Sequence, residues 1–161
     1  MKYLVLLYFI LMSLWTLGQD SVRVTFFLSS TCRVCQYYAL PMRELHQEYG
    51  NQQIEFVGIF PGALESDSTI LKFKNKYMIP FNLTKDSLEH VRLGATITPE
   101  VVVERNGKLI YMGRIDNSFE SVGKKRSVVN SYDLKYVLSE VVNGRAPEYH
   151  TVPAIGCIIE K

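Results

Sequence analysis

The run Val22-Arg23-Val24-Thr25-Phe26-Phe27-Leu28, followed after Ser29-Ser30-Thr31 by Cys32-Arg33-Val34-Cys35, constrains this chain more than any other stretch. The β-branched and aromatic run reads as a strand. A helix entered at the first Cys offers unpaired N–H groups and partial positive charge, which favour thiolate over thiol. Cys32 is therefore the candidate nucleophile. Cys35, one turn further in, is close enough to close a disulfide and release whatever Cys32 has attacked, so it is the candidate resolving thiol. Arg33 adds a positive charge beside both.

Other uses of a C-x-x-C are weaker here. A zinc site needs a second ligand pair at close spacing, and Cys157, His46, His90 and His150 are scattered. A purely structural disulfide is the other reading in an oxidising compartment. Dithiol redox chemistry is the expectation, with no metal and no cofactor.

The first residues bear on that compartment. Met1-Lys2 gives a short positive start, Tyr3 to Leu17 is apolar except for Ser13 and Thr16, and Gly18 precedes the polar Gln19-Asp20. This pattern predicts a signal peptide over 1–18, because the apolar run falls short of the roughly twenty residues that span a bilayer. The expected mature chain, 19–161, is one domain with a C-terminal tail from about residue 144, periplasmic or extracellular, without stable membrane insertion. Loss of Lys2 takes the net charge from +2 to +1. That balance offers nothing to nucleic acid.

Along this domain, Val34 to Tyr49 reads as a helix that Pro41 should kink, and Ile54 to Phe60 as a central strand closed by Pro61-Gly62. Ser66 or Asp67 can cap a helix running to about Tyr77, followed by a short strand at Phe81-Asn82-Leu83. A further short helix should turn Leu88, Val91 and Leu93 inward and stop at Gly94. Asn106-Gly107 between two apolar runs predicts a β-hairpin over 101–112, and Tyr132 to Val142 an amphipathic helix. Phe73, Tyr77, Phe81 and Tyr132 are expected in the core, and Lys124-Lys125-Arg126 on a solvated loop.

Strand, C-x-x-C, Pro-interrupted helix, central strand, helix, then Thr98-Pro99 opening a hairpin and a closing helix: this order resembles the thioredoxin fold. The resemblance implies an α/β, three-layer α/β/α sandwich with a central mixed sheet and an insertion between the core strands. Ile97-Thr98-Pro99-Glu100-Val101, Tyr111-Met112-Gly113-Arg114-Ile115-Asp116 and Gly156-Cys157-Ile158 are also similar to the redoxin-domain (thioredoxin/peroxiredoxin-like) proteins exported by bacteria. The likeness covers nearly all of 22–159. It implies a thiol–disulfide oxidoreductase exchanging disulfides with protein substrates and a redox partner protein. By the same likeness Pro99 would be a cis-proline packed beside the dithiol, and the backbone of Thr98 would be offered to a bound peptide or to the thiolate.

The departures matter too. Thioredoxin has Trp before its first Cys and Gly-Pro between the two, where this chain has Thr31 and Arg33-Val34. Val24-Thr25-Phe26 lacks thioredoxin's buried acid, which leaves Glu100 as a weak candidate base. A peroxiredoxin-like peroxidase is the alternative: Ser29 stands three before Cys32 as that family requires, but Thr25 and Arg33 stand where its prolines belong, and Arg114 or Arg126 would have to orient peroxide. A Cu(I) carrier would use two thiolates and His90, although copper chaperones of this kind space their cysteines C-x-x-x-C.

Cys157 is the remaining thiol, in a tail where Pro147, Pro153 and Gly156 argue against helix. An odd Cys in an oxidising compartment is either packed as a small hydrophobe or used. The reading is that Cys157 can reach the dithiol loop as an auxiliary thiol; a Cα separation beyond about 7 Å would leave only packing.

Overall fold

The computed structural model describes residues 20–145, 147 and 150–159. The expected signal peptide lies outside the described residues.

β1 (Val22–Phe27) is hydrogen-bonded on both sides, parallel to β2 (Ile54–Phe60) and antiparallel to β5 (Glu100–Arg105). Between β2 and β5 the chain makes helix α2 (Asp67–Tyr77), strand β3 (Asn82–Lys85), helix α3 (Glu89–Leu93) and strand β4 (Ile97–Thr98), and β3 adds in parallel to the outer edge of β2. The hairpin β5–β6 (Lys108–Gly113) closes through Asn106 and Gly107, both at positive φ (53° and 73°), the conformation that a two-residue turn between twisted strands requires. β7 (Phe119–Ser121) and β8 (Lys124–Lys125) form a small hairpin after β6, and there Lys125 Nζ sits 3.7 Å above the Tyr37 ring. The large sheet runs β3-β2-β1-β5-β6-β9, with β9 (His150–Val152) parallel to β6.

Strand alternation sorts the core onto two faces. Val24, Phe26, Val101 and Val103 pack against α1 (Arg33–Tyr49), α2 and α4 (Asp133–Val142) through Cys35, Met42, Phe73, Leu134 and Leu138. Phe27, Ile59 and Val102 face the other way, where Leu93 of α3, Ala95 and Ile159 of the tail cover them. This is the thioredoxin-like α/β/α arrangement with a mixed sheet, its second helical layer reduced to one short helix.

α1 runs through Pro41 over the expected span. Other expectations are resolved or change. α2 is capped by Ser66, whose hydroxyl accepts from Thr69 N while Ser66 N donates back to Thr69 Oγ1, a reciprocal cap. The third strand begins at Asn82 rather than Phe81, and Phe81 stays buried beside Phe26 and Phe56. Leu88 and Val91 point outward, 74% and 68% exposed, because a five-residue helix is too short to carry a buried stripe. Tyr132, at the N-cap of α4, is exposed rather than in the core.

β9 carries the chain toward the tail, and its docking depends on Gly113. That residue has φ +148°, and a Cβ there would fall 1.9 Å from the Val152 carbonyl oxygen. Gly113→Ala is therefore expected to cost about 1–3 kcal/mol by strain and overpacking, read as a lower urea midpoint. An unchanged midpoint would count against this account of how β9 is held.

Candidate functional site

In register, Phe27 pairs with both Ile59 and Glu100, so the chain leaves β1, leaves β2 and enters β5 at one end of the sheet. The loops Ser29–Thr31, Pro61–Glu65 and Ala95–Pro99 consequently converge there, around a groove of about 270 Å³ lined by Ser30, Thr31, Glu65, Thr98 and Cys157 among others.

Cys32 is the N-cap of α1: its backbone is extended (φ −73°, ψ 116°), its carbonyl accepts from Gln36 N at 3.1 Å, and no side chain caps the helix. The first turn has no acidic residue, so its positive end is left uncompensated beside Cys32. Arg33 is exposed on that turn. The Thr98–Pro99 peptide bond is cis. Cys32 Sγ lies 3.3 Å from the Thr98 carbonyl oxygen, an acceptor for the thiol when it is reduced. Cys32 is 2% exposed, nearly as covered as Cys35 at 0%. The cover is the tail.

Strand β10 (Cys157–Ile158) lies antiparallel on β4, with Cys157 opposite Thr98 and Ile158 opposite Ile97. Cys157 forms a disulfide with Cys32, Cα to Cα 6.1 Å, inside the reach limit stated above. The Thr98 hydroxyl donates to the Cys157 carbonyl at 3.3 Å, and Ile159 N donates to the Thr96 carbonyl at 3.0 Å.

Cys35 is left as a free, buried thiol. Burial pushes its pKa up from 9.0 to about 12, against the Ser29 N–H, which donates to its sulfur at 3.4 Å, and the Thr98 hydroxyl. The negative charge of Glu65 adds to the upward shift.

Glu65 is the site residue that the sequence reading misses. It is buried at 7% exposure, and one carboxylate oxygen accepts from Ser30 N at 2.7 Å and from Ser29 Oγ at 3.2 Å, the other from Thr69 Oγ1. Lys85 Nζ donates to the Glu65 carbonyl at 2.7 Å. The inserted segment is thereby tied to the turn that carries the cysteines. The one sequence signal was its place directly before the Ser66–Thr69 capping box, which fixes the loop's exit.

The other candidates are placed elsewhere. Glu100 Oε2 accepts from Thr96 N at 3.0 Å, and burial raises its carboxyl pKa. Arg114 pairs with Asp133 at 2.7 Å and Arg126 with Glu120 at 3.6 Å, and neither lines the groove. Among the described residues no three His, Cys, Asp or Glu side chains come together as a metal site, so His90 does not join the cysteines. Thr25, standing where thioredoxin has its buried acid, is fully buried, and its hydroxyl has no hydrogen-bond partner among the described residues.

No model of a protein family and no curated protein matches this chain. Solved structures do. An uncharacterized conserved protein from Geobacillus kaustophilus superposes with a TM-score of 0.76 at 21% identity, over 88% of this chain and 78% of that one. An uncharacterized thioredoxin-like protein from Porphyromonas gingivalis gives 0.57 at 13% identity over 81% and 82%. A protein of Chlorobium tepidum assigned as the thiol:disulfide interchange protein DsbE gives 0.51 at 21% identity over 57% and 66%. At these identities the likeness establishes a thioredoxin-like fold.

The Cys35 environment has a pH signature. Between the ordinary thiol value of 9.0 and about 12, the unfolded chain loses the Cys35 proton while the folded chain keeps it, so stability present below pH 9 is lost as pH rises through that window. The unfolding free energy of the protein is expected to fall more steeply above pH 9 than that of Cys35→Ala, measured by urea titration. Parallel pH profiles would refute a strongly raised thiol.

Proposed function

We propose that this protein is an exported thiol–disulfide oxidoreductase that exchanges disulfides with protein substrates through Cys32 and Cys35. The observation carrying this reading is the position of Cys32: at an uncapped helix N-terminus, against the Thr98 carbonyl, and already joined in a disulfide to a strand laid on β4. A sulfur held there accepts or donates a disulfide without a cofactor.

In the reducing direction Cys32 thiolate attacks a substrate disulfide and forms a mixed disulfide, and the departing substrate thiolate takes up a proton. Cys35 thiolate then attacks Cys32 Sγ, closing Cys32–Cys35 and releasing the second substrate thiolate. Oxidation of substrates is the reverse. Cys35 loses its proton only when that step comes, since burial holds it neutral at rest. The Ser29 N–H and the Thr98 hydroxyl stabilise the thiolate once formed. Glu65 positions the Ser29–Ser30 turn. Thr98 and Pro99 shape the edge that receives the substrate backbone, and Arg33 supplies positive charge at the rim.

Reduction of a protein disulfide is expected to vanish in Cys32→Ser, whereas Cys35→Ser should accumulate a Cys32-linked mixed disulfide, visible on non-reducing gels. Hydroperoxide consumption that survives loss of Cys35, or Cu(I) retention that His90→Ala removes, would replace this reading with a peroxidase or a carrier. Export rests on the N-terminal pattern, with residues 1–18 as the segment removed. Sequencing of exported protein should begin at or near Gln19; a start at Met1 would overturn that part.

A further inference from the structure

The β4 edge beside Cys32 is occupied by the chain's own tail, which also forms one wall of the groove. Gly156 passes so close to β4 that a Cβ would fall 2.0 Å from the Thr98 carbonyl oxygen and 3.1 Å from Pro99 Cδ. Any residue other than glycine there would push the strand off the edge. Cys157 follows, opposite Thr98, with its sulfur on Cys32. Ile158 points to solvent at 82% exposure, and Ile159 is buried against Phe27, Ile59, Ala95 and Val102. Backbone pairing on β4, a close approach before the Cys and an apolar anchor two residues after it together form an extended-peptide recognition site.

Resting on the dithiol reading above, we infer that the C-terminal strand is a resident substrate: it occupies the edge where external protein cysteines exchange with Cys32, and its sequence is the imprint of what that edge accepts. The partner class is an extended segment in which glycine precedes the reacting Cys and a branched aliphatic residue stands two positions after it. The resident state forms from the Cys32–Cys35 disulfide without any outside oxidant. Cys157 thiolate attacks Cys32 Sγ, the Cys32–Cys157 bond forms, the Cys32–Cys35 bond breaks, and the proton given up by Cys157 is balanced by one taken up on Cys35. An external substrate therefore has to displace the tail before it reaches Cys32.

The test uses the full chain with Cys32 as its sole thiol, Cys35→Ser/Cys157→Ser, with and without Gly156→Val. The probe is a synthetic peptide, Ala-Ile-Gly-Cys-Ile-Ile, whose Cys carries thionitrobenzoate as a mixed disulfide; a second peptide has valine in place of the glycine. Cys32 thiolate attacks the peptide sulfur and expels coloured thionitrobenzoate, which gives the rate. The glycine peptide is expected to react about tenfold or more faster than the valine peptide, the size of an overpacking penalty. Gly156→Val in the chain, by evicting the tail, should accelerate capture of the glycine peptide by a similar factor. Equal rates for both peptides would overturn the inference while leaving Cys32 an exchanging thiol. The peptide comparison needs no change at Gly156, so it decides even where Gly156→Val lowers stability. Reaction with neither peptide, together with a wild-type protein unable to reduce any protein disulfide, would instead remove the dithiol reading itself.

Discussion

The double pairing of β1 is the constraint on which the rest depends. Held in parallel by β2 and antiparallel by β5, β1 cannot slip by a residue without turning Val24 and Phe26 out of one core and Phe27 out of the other. With that register fixed, Leu28 N reaches the Ile59 carbonyl at 2.8 Å, and the chain leaves the sheet beside the loops that follow β2 and precede β5. Parallel β2 brings Glu65 to this end, and antiparallel β5 brings Thr98 and Pro99. The site follows from strand direction.

Two opposed influences act on the cysteines there. A helix N-terminus stabilises a nearby anion by about 0.3–1 kcal/mol. Raising a thiol from 9.0 to about 12 corresponds to roughly 4 kcal/mol against ionisation, at about 1.4 kcal/mol for each pH unit. For Cys35, one turn inside α1 and fully buried, desolvation wins clearly. For Cys32 the balance depends on the tail, since the strand that covers it is also its disulfide partner. The cover over Cys32 is thus a strand held to β4 by two residue pairs, whereas Cys35 is buried on the inner face of α1.

Local chemistry was legible in the sequence wherever it decides structure by itself. The Asn106-Gly107 turn, the Ser66 cap and the Gly94 stop act within a few residues, and each is present. The facing of the inserted helix was not legible: Leu88, Val91 and Leu93 have helical spacing, but α3 is only five residues long and of these only Leu93 packs against the core. Glu65 escaped notice because its role depends on Ser29 and Ser30 of a distant loop, which no spacing rule connects. Cys157 was readable as an unpaired thiol with a glycine before it. Its strand on β4 was not, because the pairing of Cys157 with Thr98 and the disulfide to Cys32, 125 residues away, are both set by the sheet rather than by local sequence.

The tail arrives at the site by two tethers that differ in strength. β9 adds to the large sheet beside Gly113, with Arg114 N donating to the Val152 carbonyl at 3.1 Å, while β10 holds β4 over only two residue pairs plus the Ile159 anchor. Two pairs form a marginal strand by themselves. Because Pro153 to Gly156 is all that separates the two tethers, a released Cys157 stays close to Cys32, and a thiol confined in this way acts at an effective concentration on the order of millimolar or above. A protein thiol at micromolar concentration therefore cannot displace the tail by mass action alone. It must bind the β4 edge better than a weakly paired strand does, which makes the shape of that edge, with its demand for glycine beside the Thr98 carbonyl, the feature that separates one partner from another.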